Sequence, residues 1–132
     1  LQIGKRSESQ SSSGIIVSTG LGSTGWLRSI FAGATGITSS LSGKKLRVRQ
    51  ESTFAWDADY LYFSVREPWP STVSSADITF GKITPNSPLN LVSHMPENGV
   101  IFSDGIEKDF VEFNAGTHAK ITLAEKKGRL VV

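Results

Sequence analysis

The sequence predicts a mainly β domain: a two-layer, β-sandwich-like arrangement of antiparallel strands with one short helix after a glycine-rich loop. Three observations carry that expectation. Beyond Gly43 apolar residues alternate with polar ones at period two, as Leu61, Phe63 and Val65 do against Tyr60, Tyr62, Ser64 and Arg66. Turn-forming groups recur between such runs, among them Asp57-Ala58-Asp59, Pro68-Trp69-Pro70, Thr84-Pro85-Asn86-Ser87-Pro88, Asn98-Gly99 and Asn114-Ala115-Gly116. Only one stretch, starting at Trp26, spaces its apolar residues as a helix does.

Taken in order, Leu1-Gln2-Ile3 reads as a strand, and the chain, which has no initiator Met, as a piece of a longer protein. Residues 7–13, Ser-Glu-Ser-Gln-Ser-Ser-Ser, are linker-like in composition. Gly14-Ile15-Ile16-Val17-Ser18 is a β-branched run suited to a buried strand. Residues 19–25 are turn chemistry. Trp26, Leu27, Ile30 and Phe31 then fall on one helical face, with Ser23 or Thr24 as the expected N-cap and Ala32 to Gly36 as the end. Residues 35–43, rich in Gly, Ser and Thr, read as a loop. Further strands are expected where Leu46 and Val48 alternate with Arg47 and Arg49, and where Ile121 and Leu123 alternate with Lys120 and Thr122. Asp104-Gly105, after Ile101-Phe102, is a two-residue hairpin signal.

Composition narrows the function classes. At 132 residues the chain holds one core and reads as a single domain, too short for a two-domain enzyme with a cleft between its halves. With 38% hydrophobic and 20% charged residues it resembles an ordinary folded domain. No apolar run approaches the roughly 18–20 residues that span a bilayer, so no membrane partner is expected. The absence of cysteine removes disulfides, Cys-ligated zinc and a cysteine nucleophile, and is compatible with a cytoplasmic location. Fourteen Lys and Arg against twelve Asp and Glu leave a net charge of +2, too mild to argue for nucleic acid. His94 and His118 have no partners at metal-ligand spacing, so no metal site is expected.

The segment Gly20-Leu21-Gly22-Ser23-Thr24-Gly25 matches G-x-G-x-x-G between a strand and a helix. A dinucleotide-binding βαβ unit also needs an acidic residue about 20 positions on, and Leu21 to Gln50 contains no Asp or Glu. No Lys follows the glycines as a P-loop requires, and no Val-Ala-Ile-Lys strand follows as in a protein kinase. The physics of the segment survives these exclusions. Glycines let backbone approach a ligand closely, and hydroxyls with free N–H groups at a helix N-terminus suit phosphate oxygens. A glycine-rich turn without a ligand is the plainer alternative. Elsewhere, Arg66-Glu67 before Pro68-Trp69-Pro70 reads as a strand-ending corner or a cleft-lining loop. Lys44, Lys45, Arg47 and Arg49 form a basic cluster, usually a solvated face but able to meet phosphates.

Gly14-Ile15-Ile16-Val17-Ser18-Thr19-Gly20-Leu21-Gly22-Ser23-Thr24-Gly25-Trp26 resembles the signature of the NAD kinase family. There, Asp-Gly and three aliphatic residues lead into Ser/Ala-Thr-Pro-Thr-Gly-Ser-Thr-Ala-Tyr and a short helix. The Ser103-Asp104-Gly105 hairpin and the strand Gly116-Thr117-His118-Ala119-Lys120-Ile121 are also similar to the family's C-terminal domain. The resemblance is sharp from Gly14 to Ser29. It implies that Gly22, Ser23 and Thr24 lie near the substrate and its phosphates. It further implies that Gly25 stands against the ligand, that Trp26 replaces a Tyr as an aromatic face, and that Ser29 contacts the dinucleotide. Ser13 stands where the family has Asp, and Gly20-Leu21 where Pro-Thr is usual.

The same resemblance implies a phosphotransferase in the intact protein. ATP or polyphosphate would phosphorylate the adenosine ribose 2′-hydroxyl of NAD, with Mg²⁺ on the donor phosphates. A homo-oligomer assembled through this domain is expected. The family's base, the Asp of a Gly-Gly-Asp-Gly loop, and its Asn-Glu/Asp motif do not occur in these residues. No catalytic residue is therefore expected here, and the chain alone is expected to be inactive, since a general base is worth roughly 10²–10⁴-fold. A non-catalytic nucleotide-binding or assembly module, and a sugar or lipid kinase of the same superfamily, are the alternatives.

Overall fold

The elements run β1 (Gln2–Ile3), β2 (Arg6–Ser7), β3 (Gly14–Ser18), a 3-10 turn (Leu21–Thr24), α1 (Trp26–Ser42), β4 (Leu61–Arg66), β5 (Phe80–Ile83), β6 (Leu89–Val92), β7 (Val100–Phe102), β8 (Phe110–Glu112) and β9 (His118–Ile121). They are seen in a computed structural model that describes residues 1–46, 55–103, 106 and 108–128. Every strand pair is antiparallel, as the alternating pattern predicts. One sheet has the order β2-β1-β6-β9, a second β3-β4-β5, and β7 and β8 form a separate hairpin.

The two larger sheets share one core. Phe63 and Val65 of β4, Ile83 of β5, Leu89 of β6 and Ile78 are buried together, with Ile3, Ile15, Val17, Leu61, Leu91 and Ile121 packed around them. Strand side chains alternate between faces, so these inward residues leave Tyr62, Ser64 and Arg66 on the outer face of β4. The register places Phe80 of β5 beside Ser64 and Ile16 of β3 on its other side. Onto this outer face comes α1, with the Phe31 and Phe80 ring centroids 5.4 Å apart and Leu27 fully buried. Ser64 is buried as well, so β4 is covered on both sides.

The helix is longer than the sequence suggests. It runs 17 residues to Ser42 and ends at Gly43 in the left-handed conformation (φ 64°), so the stretch read as a loop over 35–43 is helical. Gly, Ser and Thr cost at most about 1 kcal/mol each relative to Ala in a helix interior. Docking of Leu27, Ile30 and Phe31 on the sheet supplies the nucleus, and the later turns need only propagate. Thr38 helps by returning its hydroxyl to the Ala34 carbonyl at 2.8 Å. The far end stands clear of the sheet, with Leu41 84% exposed. No helix among the described residues is long and apolar enough to cross a membrane.

Residues 7–13 are not a linker. Ser7 is in β2, and the carbonyls of Ser9 and Ser11 accept N–H groups of Ser75 (3.2 Å) and Trp69 (2.8 Å), while Ser13 donates its N–H to Arg66 (3.1 Å). Small polar side chains leave the backbone free to pair, and that pairing is invisible in composition. Arg47, Val48 and Arg49, and the Asp104-Gly105 turn, lie outside the described residues. The last described pair of that hairpin is Phe102 opposite Phe110. Its strands are apolar and exposed on both faces, Ile101 and Val111 on one, Val100, Phe102 and Phe110 on the other.

Glu8 ties this N-terminal segment to the chain before β5. Its carboxylate accepts the N–H groups of Ile78 (2.9 Å) and Asp77 (3.2 Å) and a bond from the Gln10 amide. Burial, the largest single influence, opposes ionisation. The Gln10 bond, the two amides and the Arg6 charge together outweigh it and hold the carboxyl below its usual range. A depressed folded-state value means stability that is present above the ordinary glutamate value of about 4.3 and is lost as pH falls through the folded one. Glu8→Gln is expected to flatten that acid limb, measured by urea unfolding at a series of pH values. A second prediction concerns Gly81, where a Cβ would sit 2.6 Å from the ring of Phe63 in the core. Gly81→Ala should lower unfolding free energy by about 1–3 kcal/mol, read from the shift in urea midpoint.

Candidate functional site

The glycine-rich segment leaves the end of β3 and turns at once. Gly22 donates its N–H to the Thr19 hydroxyl (3.0 Å), Ser23 to the Gly20 carbonyl (3.2 Å), and Gly25 to the Gly22 carbonyl (3.2 Å). These amides are therefore committed to the turn, not free as the sequence suggested. The N-cap of α1 is Gly25, without a side-chain cap bond, so neither Ser23 nor Thr24 caps the helix. The turn takes up the Gly25 N–H, and the Arg28 N–H goes to the Gly25 carbonyl at 3.1 Å. Gly20 is sterically compelled. A Cβ there would lie 1.9 Å from the Ala55 carbonyl oxygen, so the incoming chain before β4 rests on bare backbone.

The predicted residues divide by exposure. Gly22, Thr24, Gly25, Trp26 and Ser29 reach the surface, and Trp26 keeps 41% of its area open. Trp26 and Ser29 lie three apart on α1 and so are surface neighbours. Ser23 points inward instead. It is 2% exposed, and its Oγ is the buried side-chain polar atom that lacks a hydrogen-bond partner among the described residues.

Arg66 joins the group, a connection that sequence reading missed. Its guanidinium lies 4.5 Å from the centre of the Trp26 ring, an arrangement worth about 0.5–1 kcal/mol at an exposed site. The signal was available: strand alternation puts Arg66 on the outer face of β4, where the helix lands. Arg66 Nη2 stands 3.6 Å from the carboxylate of Glu67, and the Ser13 hydroxyl donates to the same carboxylate. Glu67 takes a left-handed backbone (φ 40°) just before Pro68, a conformation costing of the order of 1–3 kcal/mol for a non-glycine residue.

Two other features lie on the same side of the sheet. Tyr62 and Phe80 stack with centroids 5.1 Å apart, Tyr60 adds an edge contact, and the Lys82 ammonium sits 3.8 Å from the Tyr60 ring centre. An open groove of about 580 Å³ along α1 is lined by Arg28, Phe31, Thr35, Ser39, Lys45 and Leu46; Lys45 of the basic cluster borders it, and none of Gly22, Ser23, Thr24, Gly25, Trp26 and Ser29 does. No group of three His, Asp or Glu side chains that could hold a metal stands together among the described residues, so no step here is assigned to one.

An unpartnered buried hydroxyl is a cost of about 1–3 kcal/mol that an apolar side chain avoids. Ser23→Ala should therefore raise the urea midpoint, and a fall would show that the hydroxyl has a partner that matters. Comparison with family models, curated proteins and solved structures found no match to this chain.

Proposed function

We propose that this chain is the acceptor-binding domain of an NAD kinase-like phosphotransferase, with the nucleotide lying against the first turn of α1. The observation that carries this reading is Trp26. A large aromatic ring left 41% exposed at a helix entrance, with a guanidinium over it, offers a ring-stacking surface and a positive charge together. It stands directly after the Gly-Ser-Thr turn on which the family resemblance is sharpest.

In the intact protein the transferred group would pass from ATP or polyphosphate to the ribose 2′-hydroxyl of NAD, the donor phosphates being neutralised by Mg²⁺. The part of this chain is to bind and orient. Thr24 and Ser29 supply hydroxyls beside the ring, and Gly25 leaves room for close approach, whereas the bare face of Gly22 is turned to the side chains of Ser18 and Thr19. Ser23, turned inward, takes no part in this contact. Orientation of this kind is one of the two main contributions to phosphoryl transfer, beside stabilisation of the developing charge, since little covalent chemistry falls to the protein. A cytoplasmic, oligomeric protein goes with this reading. The exposed apolar hairpin β7–β8 also favours a second one, an assembly module without catalysis.

Calorimetric titration of the chain with NAD tests the choice. Trp26→Ala should weaken binding by about tenfold, and Thr24→Ala by less. Wild-type affinity in both variants, or no binding by the parent chain, would remove the nucleotide reading and leave the assembly module.

A further inference from the structure

We infer that copies of this chain join head to tail, the β7–β8 ribbon of one entering the groove along α1 of the next. This deepens the assembly reading and rests on it, while the nucleotide reading at Trp26 stands or falls separately.

The charges of the chain are divided between two regions. Residues 21–50 hold Arg28, Lys44, Lys45, Arg47 and Arg49 and no Asp or Glu. Residues 97–112 hold Glu97, Asp104, Glu107, Asp109 and Glu112 against Lys108 alone. The groove belongs to the first region and the ribbon to the second. Opposite signs steer an encounter and like signs oppose it, so ribbon to groove is the favoured contact over ribbon to ribbon or groove to groove.

Shape and apolar character agree with charge. The groove follows one stripe of α1, and between Phe31 and Ser39 that stripe carries only Ala32, Thr35 and Gly36. A Cβ at Gly36 would meet nothing within 4 Å, so a second chain can come close to the helix. Beyond Gly43 the chain turns back, and the Leu46 N–H on the Ser39 hydroxyl (3.0 Å) holds Leu46 and Lys45 beside the same stripe. Small residues flanked by Phe31, Leu46, Arg28 and Lys45 suit large apolar side chains with a carboxylate next to them. The ribbon presents that set. Its register puts Phe102 opposite Phe110 and Val100 opposite Glu112, and alternation places all four on one face. Phe102 is 52% exposed and Phe110 50%, and two strands alone cannot cover a face of this kind. In the joined pair the two rings fill the groove, and Glu112 meets the cations that line it.

Ribbon and groove are different surfaces, so the contact is not self-complementary. Joining repeats until a ring closes or a chain extends. One ribbon face in one groove is small beside the roughly 800 Å² per partner of a standard interface, so the association is weak, with a Kd of about 10 µM to 1 mM.

Sedimentation of the 132-residue chain from about 10 µM to 1 mM tests this, with folding checked by circular dichroism and urea unfolding. The mean mass should rise with concentration and pass twice that of the monomer. Phe110→Lys spoils the ribbon and leaves the groove; Arg28→Glu with Lys45→Glu spoils the groove and leaves the ribbon. Glu112→Lys, at an exposed side chain, repeats the ribbon test if Phe110→Lys disturbs the hairpin. Each variant alone should lose self-association by about tenfold or more. Mixed in equal amounts, a ribbon variant and the groove variant should form a one-to-one dimer and nothing larger, because one intact ribbon meets one intact groove. A mass that levels off at the dimer, full association by the groove variant, or a mixture that stays monomeric would overturn the ribbon-in-groove contact and leave an assembly surface at the ribbon. A wild-type chain that is monomeric throughout would overturn both, whatever the titration with NAD shows.

Discussion

Strand β4 is the constraint on which the rest depends, because both of its faces must be covered. Phe63 and Val65 on one face join the two sheets into a single core. Burying such a side chain is worth about 1.5–3 kcal/mol, and a core this small leaves little surplus. On the other face Ser64 is buried and α1 rests its Phe31 against Phe80, which keeps 42% of its area open. A strand of six residues thus determines where the helix lies and which way its first turn faces.

That docking positions the candidate site. Leu27 is the inward residue of the first turn, so its neighbour Trp26 is turned toward solvent and Arg66. The tight turn before the helix keeps its own amides occupied, so any ligand meets side chains and ring faces more than bare backbone donors. Recognition built this way depends on how rigidly the side chains are held. At the end of β4, Ser13 holds the strand with its N–H on the Arg66 carbonyl and its hydroxyl on the Glu67 carboxylate.

Much of the architecture was readable from residue pattern. The alternation of Leu61, Phe63 and Val65, the β-branched run of β3 and the polar-apolar rhythm near Ile121 all report faces, and faces are local properties. What was hidden was non-local. The serine-rich stretch after β2 looks featureless because its contribution is backbone pairing to residues 66–75, about sixty positions away. The extension of α1 through glycines and threonines reflects a tertiary anchor at Leu27 and Phe31, which propensity cannot register. For the site, the turn and the exposed aromatic were legible as motif chemistry. Strand alternation gave the face on which Arg66 stands, but its meeting with Trp26 and the inward rotation of Ser23 depend on how a helix settles on a sheet, which spacing alone does not encode.

The hairpin β7–β8 has a practical consequence for handling the molecule. Two short strands bearing Val100, Ile101, Phe102, Phe110 and Val111 toward water, on a chain of net charge only +2, have little electrostatic repulsion to keep copies apart. The ribbon lies outside the core that the two larger sheets share. A ribbon of this kind is where copies of the chain would first meet at high concentration.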